Sequence, residues 1–282
     1  MRFFLLKIFS IISLALILQG CETLKNLNFG DSVSDDAKYS GWDAEQFQTE
    51  AKKAMDSENY QKAIELYEKL EARYPFGDHA AQTQIDLAFA YYKNNEPEAA
   101  IAAAERFIKV YPRNSSVDYA YYLKGLVNYN RGIGFLERFL PTDASQRDPG
   151  NSQDAYDNFA ELLRRFPDST YAPDTRQRML YLRNNLAMYE VHVARFYMQR
   201  EAYIAAVNRA GYVVKKYQRT PAVPLALEIM QAAYLKLGLD DLAKDTARVY
   251  AQNFPKGAPP PPQLPDDSGI VRAVWDFIGF DR

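Results

Sequence analysis

One short pattern recurs five times along this chain, and few folds can satisfy it. Tyr60, Ala63, Ile64, Tyr67 and Leu70 run at helical spacing into Tyr74-Pro75. Pro97, Ala100, Ile101 and Phe107 lead in the same way to Tyr111-Pro112, and Ala155, Phe159 and Leu162 to Phe166-Pro167. Tyr203, Ala206, Val207 and Val213 end at Tyr217, with Gln218 in place of the proline and Pro221 close behind. Ala243, Ala247 and Tyr250 end at Phe254-Pro255. Each copy is a small residue, a stripe of apolar positions three or four apart, an aromatic and a stop. Proline past a helix end is a terminator because it cannot extend the hydrogen-bond ladder. A second helical stretch precedes each copy and carries its own small residue: Ala51, Ala88, Gly125, Ala194 and Ala233. Small residues let two helices approach closely. Turn residues such as Glu58-Asn59, Asn95-Glu96 and Gly238 divide the two helices of a unit.

Paired helices repeating in this way are the tetratricopeptide pattern, whose unit is about 34 residues. The expected fold is all-α: a right-handed superhelical solenoid of five helix-turn-helix repeats over residues 42–255. The small residues Ala63, Ala100, Ala155, Ala206 and Ala243 recur at intervals of 37, 55, 51 and 37. The two long intervals hold additions. Residues 130–151 insert between the helices of repeat three, either as a functional loop or as an extra helix packed on its own repeat. In repeat four the first helix starts near Asp174 and runs to about Gln199. Its expected packing stripe is Met179, Leu182, Leu186, Tyr189, Val193 and Phe196.

The two flanks differ from the repeats. Basic Met1-Arg2 and Lys7 precede an apolar run from Ile8 to Leu18, then Gln19-Gly20-Cys21. That is a secretory signal, too short to be a transmembrane helix of about 20 residues. Cysteine directly after the small residue looks like a lipoprotein lipobox. The resemblance implies cleavage before Cys21 and a covalent lipid on it, N-palmitoyl and S-diacylglycerol. Residues 1–20 are then a signal peptide and residues 21–41 a polar tether. Glu22, rather than Asp, follows the cysteine and favours the outer membrane. At the other end, residues 256–282 form a proline-rich linker and a short segment with Val271, Val274, Trp275 and Ile278 at helical spacing. That segment either caps the last repeat or docks on a partner lipoprotein.

Charge and chemistry exclude several functions. Removing Arg2 and Lys7 with the signal leaves 32 basic against 36 acidic residues, so nothing points to nucleic acid. The two histidines, His79 and His192, are far apart, and no metal or nucleotide motif is present. Carboxylates alternate with bases on helix faces, as at Glu65, Glu68, Lys69 and Glu71, which is the pattern of solvated surfaces. The reading is a non-enzyme with no cofactor and no metal. Tyrosine is abundant, with 21 residues, and suits a binding groove as well as helix packing.

An ordered set of pieces carries a family resemblance: Arg73-Tyr74-Pro75-Phe76-Gly77, Asp86-Leu87, Ala90-Tyr91-Tyr92-Lys93, Asp118-Tyr119, Arg147-Asp148-Pro149, Leu186-Ala187 with Tyr189-Glu190, and Ala206-Val207-Asn208-Arg209. Together with the lipobox they resemble the BamD family, lipoproteins of the outer-membrane β-barrel assembly machinery. The resemblance spans Cys21 to Pro255 and leaves the tail unmatched. It implies a periplasm-facing scaffold anchored in the outer membrane. Its C-terminal repeats would dock on the last POTRA domain of BamA beside other lipoproteins of the complex. Its N-terminal repeats would receive unfolded outer-membrane proteins. Such clients are extended, aromatic and often end in a carboxylate, so Tyr rings with a cation would hold them. Arg73, Phe76, Tyr91, Tyr92 and Lys93 are the client candidates, with helix packing the other role for one of the two tyrosines. Arg147, Asp148 and Arg200 are the partner candidates. A tetratricopeptide adaptor for cell-wall synthesis or division, and a peptidoglycan-associated lipoprotein, are the competing readings.

Overall fold

The computed structural model describes residues 38–131, 143–146 and 148–258. The signal, Cys21, most of the tether, the apolar half of the insertion, Arg147 and the C-terminal segment lie outside the described residues. Those described form ten α-helices and one 3-10 turn, with no strand among them. They are α1 Ala44–Asp56, α2 Tyr60–Arg73, α3 Ala80–Lys93, α4 Pro97–Val110, α5 Val117–Asn130, α6 Gly150–Arg165, α7 Ala172–Gln199, α8 Tyr203–Lys216, α9 Ala222–Lys236 and α10 Asp240–Asn253. Each helix packs on its neighbours in the chain, and α3 also meets α5 and α7 meets α9. That is a solenoid, in which one repeat touches only the next.

The turns repeat as faithfully as the helices. Within repeats one, two, four and five the turn places Glu58, Asn95, Glu201 or Gly238 at positive φ, between 58° and 71°. The next residue's amide then reaches back to the carbonyl five positions earlier: Asn59 to Ala54, Glu96 to Tyr91, Ala202 to Tyr197 and Leu239 to Tyr234, at 2.8–3.0 Å. This left-handed cap satisfies the last carbonyls of the first helix and reverses the chain. Only Gly238 takes that conformation without a Cβ penalty. Between repeats the stop is an aromatic whose amide closes the last turn: Tyr74, Tyr111, Phe166, Tyr217 and Phe254, each at 2.8–2.9 Å.

Small residues sit where helices cross. Ala51, Ala63, Ala88, Ala100, Ala155, Ala194, Ala206 and Ala233 have no exposed surface. Gly125 is the tightest crossing, because a Cβ there would stand 2.3 Å from the Phe159 ring of α6. The insertion falls where expected, between α5 and α6. Its last part is the 3-10 turn Ala144–Gln146, which packs on α7.

The expected stripe of α7 holds only in part. Leu182 and Leu186 are buried, but the remaining buried residues are Ala172, Thr175, Ala187, Val191 and Ala194. Phe196 is exposed. A helix this long is gripped in turn by α6, then by α8 and α9. Its packed face therefore rotates along the axis, and one straight stripe cannot describe it.

The N-terminal end is closed by aromatic packing. Tyr39 is 1% exposed, and its ring lies 4.8 Å from Trp42 and 5.8 Å from Phe47 of α1. Its hydroxyl donates to Glu65 at 3.0 Å and accepts from Lys62, and the Lys62 and Lys69 ammoniums stand 4.9 and 5.3 Å from its ring centre. Asp43 and Gln46 make a reciprocal capping box that starts α1.

Candidate functional site

Helix α5, the turn before α7 and α7 itself bring tyrosines together in a row. Tyr122 of α5 stacks on Tyr171, in the turn before α7, at 4.7 Å and 16°. Tyr119 meets the same Tyr171 at 5.4 Å, and Tyr129 meets Tyr181 of α7 at 6.1 Å. Phe159 supports the row from α6, 6.1 Å from Tyr122 and 6.4 Å from Tyr129. Positions 119, 122 and 129 share one side of α5 because helical neighbours recur at three, four and seven. All five tyrosines are half-buried.

An ion pair lies within the row. Asp174 accepts from the Tyr122 hydroxyl at 2.6 Å and from Arg178 Nε at 2.6 Å. The Arg178 guanidinium lies 4.8 Å from the centre of the Tyr129 ring. Burial pushes the Asp174 carboxyl up, but the bonds from Arg178 and Tyr122 outweigh it and hold the group below its usual value. Burial, and then the bond to Asp174, push the Tyr122 phenol up to about 12. The aspartate is thus an anchored anion and the tyrosine a fixed donor. Flat rings beside a guanidinium suit an aromatic or extended peptide ligand.

The client candidates divide. Tyr92, on the last turn of α3, packs beside Phe89 at 6.1 Å and accepts from Asn130 of α5 at 2.6 Å. Tyr91 packs against both the first and the second repeat and donates to Glu68 at 2.5 Å. Both tyrosines therefore contribute to helix packing. Lys93 is exposed, with its ammonium 5.4 Å from the Tyr60 ring centre. Arg73 belongs to the N-terminal closure: it donates to the Tyr39 carbonyl at 2.5 Å and its guanidinium lies 5.4 Å from the Phe47 ring. Phe76, in the turn between α2 and α3, is 87% exposed. These five residues do not meet in one place.

Among the partner candidates, Asp148 is exposed and accepts the Gly150 amide at 2.9 Å, which fastens the start of α6. Arg200 follows α7 directly. Its guanidinium lies 4.8 Å from the exposed Phe196 ring, and no described carboxylate pairs with it. Arg178 and Arg209, by contrast, are held by Asp174 and Glu190. Sequence reading missed Tyr122, Tyr171, Asp174, Arg178 and Tyr181. Their one visible signal was the Tyr119, Tyr122 and Tyr129 spacing on α5; their partners lie some fifty residues on.

Two polar clusters have other roles. Ser145 Oγ stands 3.0 Å and Asp143 Oδ2 3.5 Å from the same nitrogen of His192, Nε2. A nucleophilic relay needs the carboxylate on the opposite ring nitrogen, so this group ties the insertion to α7 instead. His79 sits at the start of α3 with its ring on the Tyr74 carbonyl at 3.0 Å. No three described His, Cys, Asp or Glu residues are placed to hold a metal, and no described helix is long and apolar enough to cross a membrane.

Residues 41–249 match the family model described as YfiO, outer membrane lipoprotein. The outer membrane protein assembly factor BamD of Neisseria meningitidis serogroup A is 44% identical over 250 residues, covering 89% of this chain and 92% of that one. The factor of the same name from Vibrio cholerae is 39% identical over 208 residues, covering 74% of this chain and 86% of its own. A solved structure of MamA covers 79% of this chain and 98% of that chain, at 17% identity and a TM-score of 0.30, too low to add to the repeat pattern.

Proposed function

The chain belongs to the YfiO family of outer membrane lipoproteins, and on that premise we propose that it is a periplasm-facing scaffold whose tyrosine row receives unfolded outer-membrane proteins. Its place is the outer membrane and its work is outer-membrane protein assembly within the BAM complex. The observation that carries the finer reading is the row itself: half-buried rings on α5 and α7 around the Asp174–Arg178 pair. A barrel strand alternates aromatic and polar side chains, and the row offers flat apolar faces with a cation and an anion between them. Lipid on Cys21 supplies the anchor; two or more acyl chains hold stably at roughly 0.8 kcal/mol per buried methylene. Arg200 with Phe196 forms an exposed cation–aromatic pair, the chemistry enriched at interface centres, and is assigned to BamA.

Photocrosslinking in intact membranes tests both assignments. A crosslinker at Tyr181 or Tyr171 should capture unfolded barrel proteins, and one at Arg200 should capture BamA. Client adducts from Phe76 but not from Tyr181 or Tyr171 would move the client site to the α2–α3 turn. No BamA adduct from Arg200 would take that arginine off the interface.

A further inference from the structure

The repeats allow one end of the solenoid to be read from the other. Ala63 of repeat one and Ala243 of repeat five occupy the same place in the pattern. In that register Leu242 stands where Lys62 does, and Val249 where Lys69 does. On α2 this stripe is covered: Lys62 and Lys69 hold the ring of Tyr39, a residue of the flanking segment. On α10 the same stripe is bare among the described residues, with Leu242 46% and Val249 39% exposed and Leu239 exposed one turn earlier. At about 100° per residue these three fall within roughly an 80° arc of the helix. The intervening repeats carry Ala99 and Arg106, Asp154 and Glu161, and Ala205 and Tyr212 at the two equivalent positions. Repeat five alone has two large aliphatic residues there. Such an arrangement in a terminal helix calls for a cover.

We propose that residues 270–280 of this chain lie on the Leu239, Leu242 and Val249 stripe of α10, with Trp275 taking the place that Tyr39 takes on α2. The chemistry of each stripe matches its flank. The α2 stripe is cationic, and its cover is a tyrosine whose ring takes cations and whose hydroxyl joins the Lys62–Glu65 pair. The α10 stripe is aliphatic, and the second flank offers Ile270, Val271, Val274, Trp275, Phe277, Ile278 and Phe280. The connection reaches: eleven residues, 259–269, follow the last described residue. At about 3.1 Å per residue a proline-rich segment of that length spans ~34 Å, against ~15 Å from Leu239 to Val249 along the helix. So few residues do not hold a helix alone in water, which makes an intramolecular cover their natural partner. The inference stands apart from the client and BamA assignments.

Trp42 and Trp275 are the two tryptophans of the chain. In the full-length protein carrying Trp42→Phe, emission therefore reports Trp275 alone. Docking predicts emission blue-shifted from that of the urea-unfolded protein and independent of protein concentration. The pair Leu242→Glu and Val249→Glu should return it to the unfolded position with far-UV circular dichroism unchanged. Solvent-exposed emission in the parent overturns the proposal. So does a blue shift that the glutamates leave in place, which puts the segment on a membrane or another surface, and so does one that vanishes on dilution, which makes a second copy the occupant. Hydrogen exchange gives a reading without touching α10: Val274→Asp with Ile278→Asp should speed exchange across residues 239–249 several-fold and leave α2 alone. Unchanged exchange on α10 would contradict the cover.

Discussion

The first and last repeats share one pattern and differ in how much they bury. Helix α2 buries Ala63, Ile64, Leu66, Tyr67 and Leu70, whereas α10 buries Ala243 and Thr246. Two causes separate them. Repeat one has a repeat beyond it, and Tyr67 and Leu66 of α2 share a cluster with Leu87 and Ala90 of α3. It also has a flank that folds back, with Tyr39, Trp42 and Phe47 meeting ring against ring. Repeat five has neither among the described residues. A repeat motif thus fixes the fold of each unit, while its stability comes from what lies against it. Helical propensity alone contributes little to units of fourteen residues.

The largest effect should come from the closed end. Phe47 has no exposed surface and lies under both Tyr39 and the Arg73 guanidinium. Phe47→Ala should cost about 3–5 kcal/mol, as aromatic deletions in cores do. Because repeats touch only neighbours, hydrogen exchange should accelerate across α1 and α2 and remain at the parent's rate in α8 to α10. Equal acceleration at both ends would mean the solenoid unfolds as one unit, and the contrast between its ends would lose its energetic meaning.

Gly125→Ala gives the interior reference for that contrast. The new Cβ would meet Phe159 ring carbons at 2.3 Å, so the Phe159 ring or the two helices must shift. Overpacking of this kind costs typically about 1–3 kcal/mol. Melting of the variant should show the loss, and exchange should localise it to repeat three. An undiminished melting temperature would show that the crossing has slack.

Tyr39→Phe should cost less, about 1 kcal/mol, since it removes one hydroxyl that bonds Glu65 and Lys62 while the ring stays in place. Tyr39→Leu should cost more, because the stacked cations lose their π face. If the two variants melt alike, the cap works by volume alone, and the pairing of a cationic stripe with an aromatic flank is incidental.

The repeat was legible in the residues because its signals are local. Small residues, aromatic stops and turn residues each act within a few positions, and the structure places all ten helices on them. The turn at Glu201 had no such signal; a charged residue takes the left-handed cap there, held by the helices on either side. The α7 pattern is straight in the sequence, but its partners change along its length. The tyrosine row was illegible for a different reason. Tyr122 and Tyr171 meet only after an insertion and a whole helix intervene, so no window along the chain contains both. The role of Arg73 was hidden likewise: its partners Tyr39 and Phe47 lie 34 and 26 positions upstream, and an exposed arginine at a helix end resembles a ligand-binding one.

The smallest expected effect is a dependence on pH that begins at the closed end. Burial raises the Glu65 carboxyl, but the bonds from Lys62 and Tyr39 prevail and leave it below its ordinary value. A lowered acid contributes stability that is present above the unfolded value, about 4.3, and is lost as pH falls through the folded one. Asp86, which joins α3 to Tyr67 of α2, has the opposite sign. Its burial wins over the bonds from Gln82 and Tyr67, so its carboxyl is raised. The folded state then binds its proton more tightly than the unfolded chain, and stability is gained as pH falls through the raised value. The two groups offset each other as pH falls from neutral to about pH 3, and each can be removed separately. Glu65→Gln should shrink the drop in melting temperature between pH 7 and pH 3, by well under the roughly 1 kcal/mol that an accessible ion pair supplies. Asp86→Asn should enlarge the same drop, because it removes the group that acid stabilises. Were both variants to move it in one direction, the Tyr39 cap and the α2–α3 junction would not be the separate electrostatic units that these contacts describe.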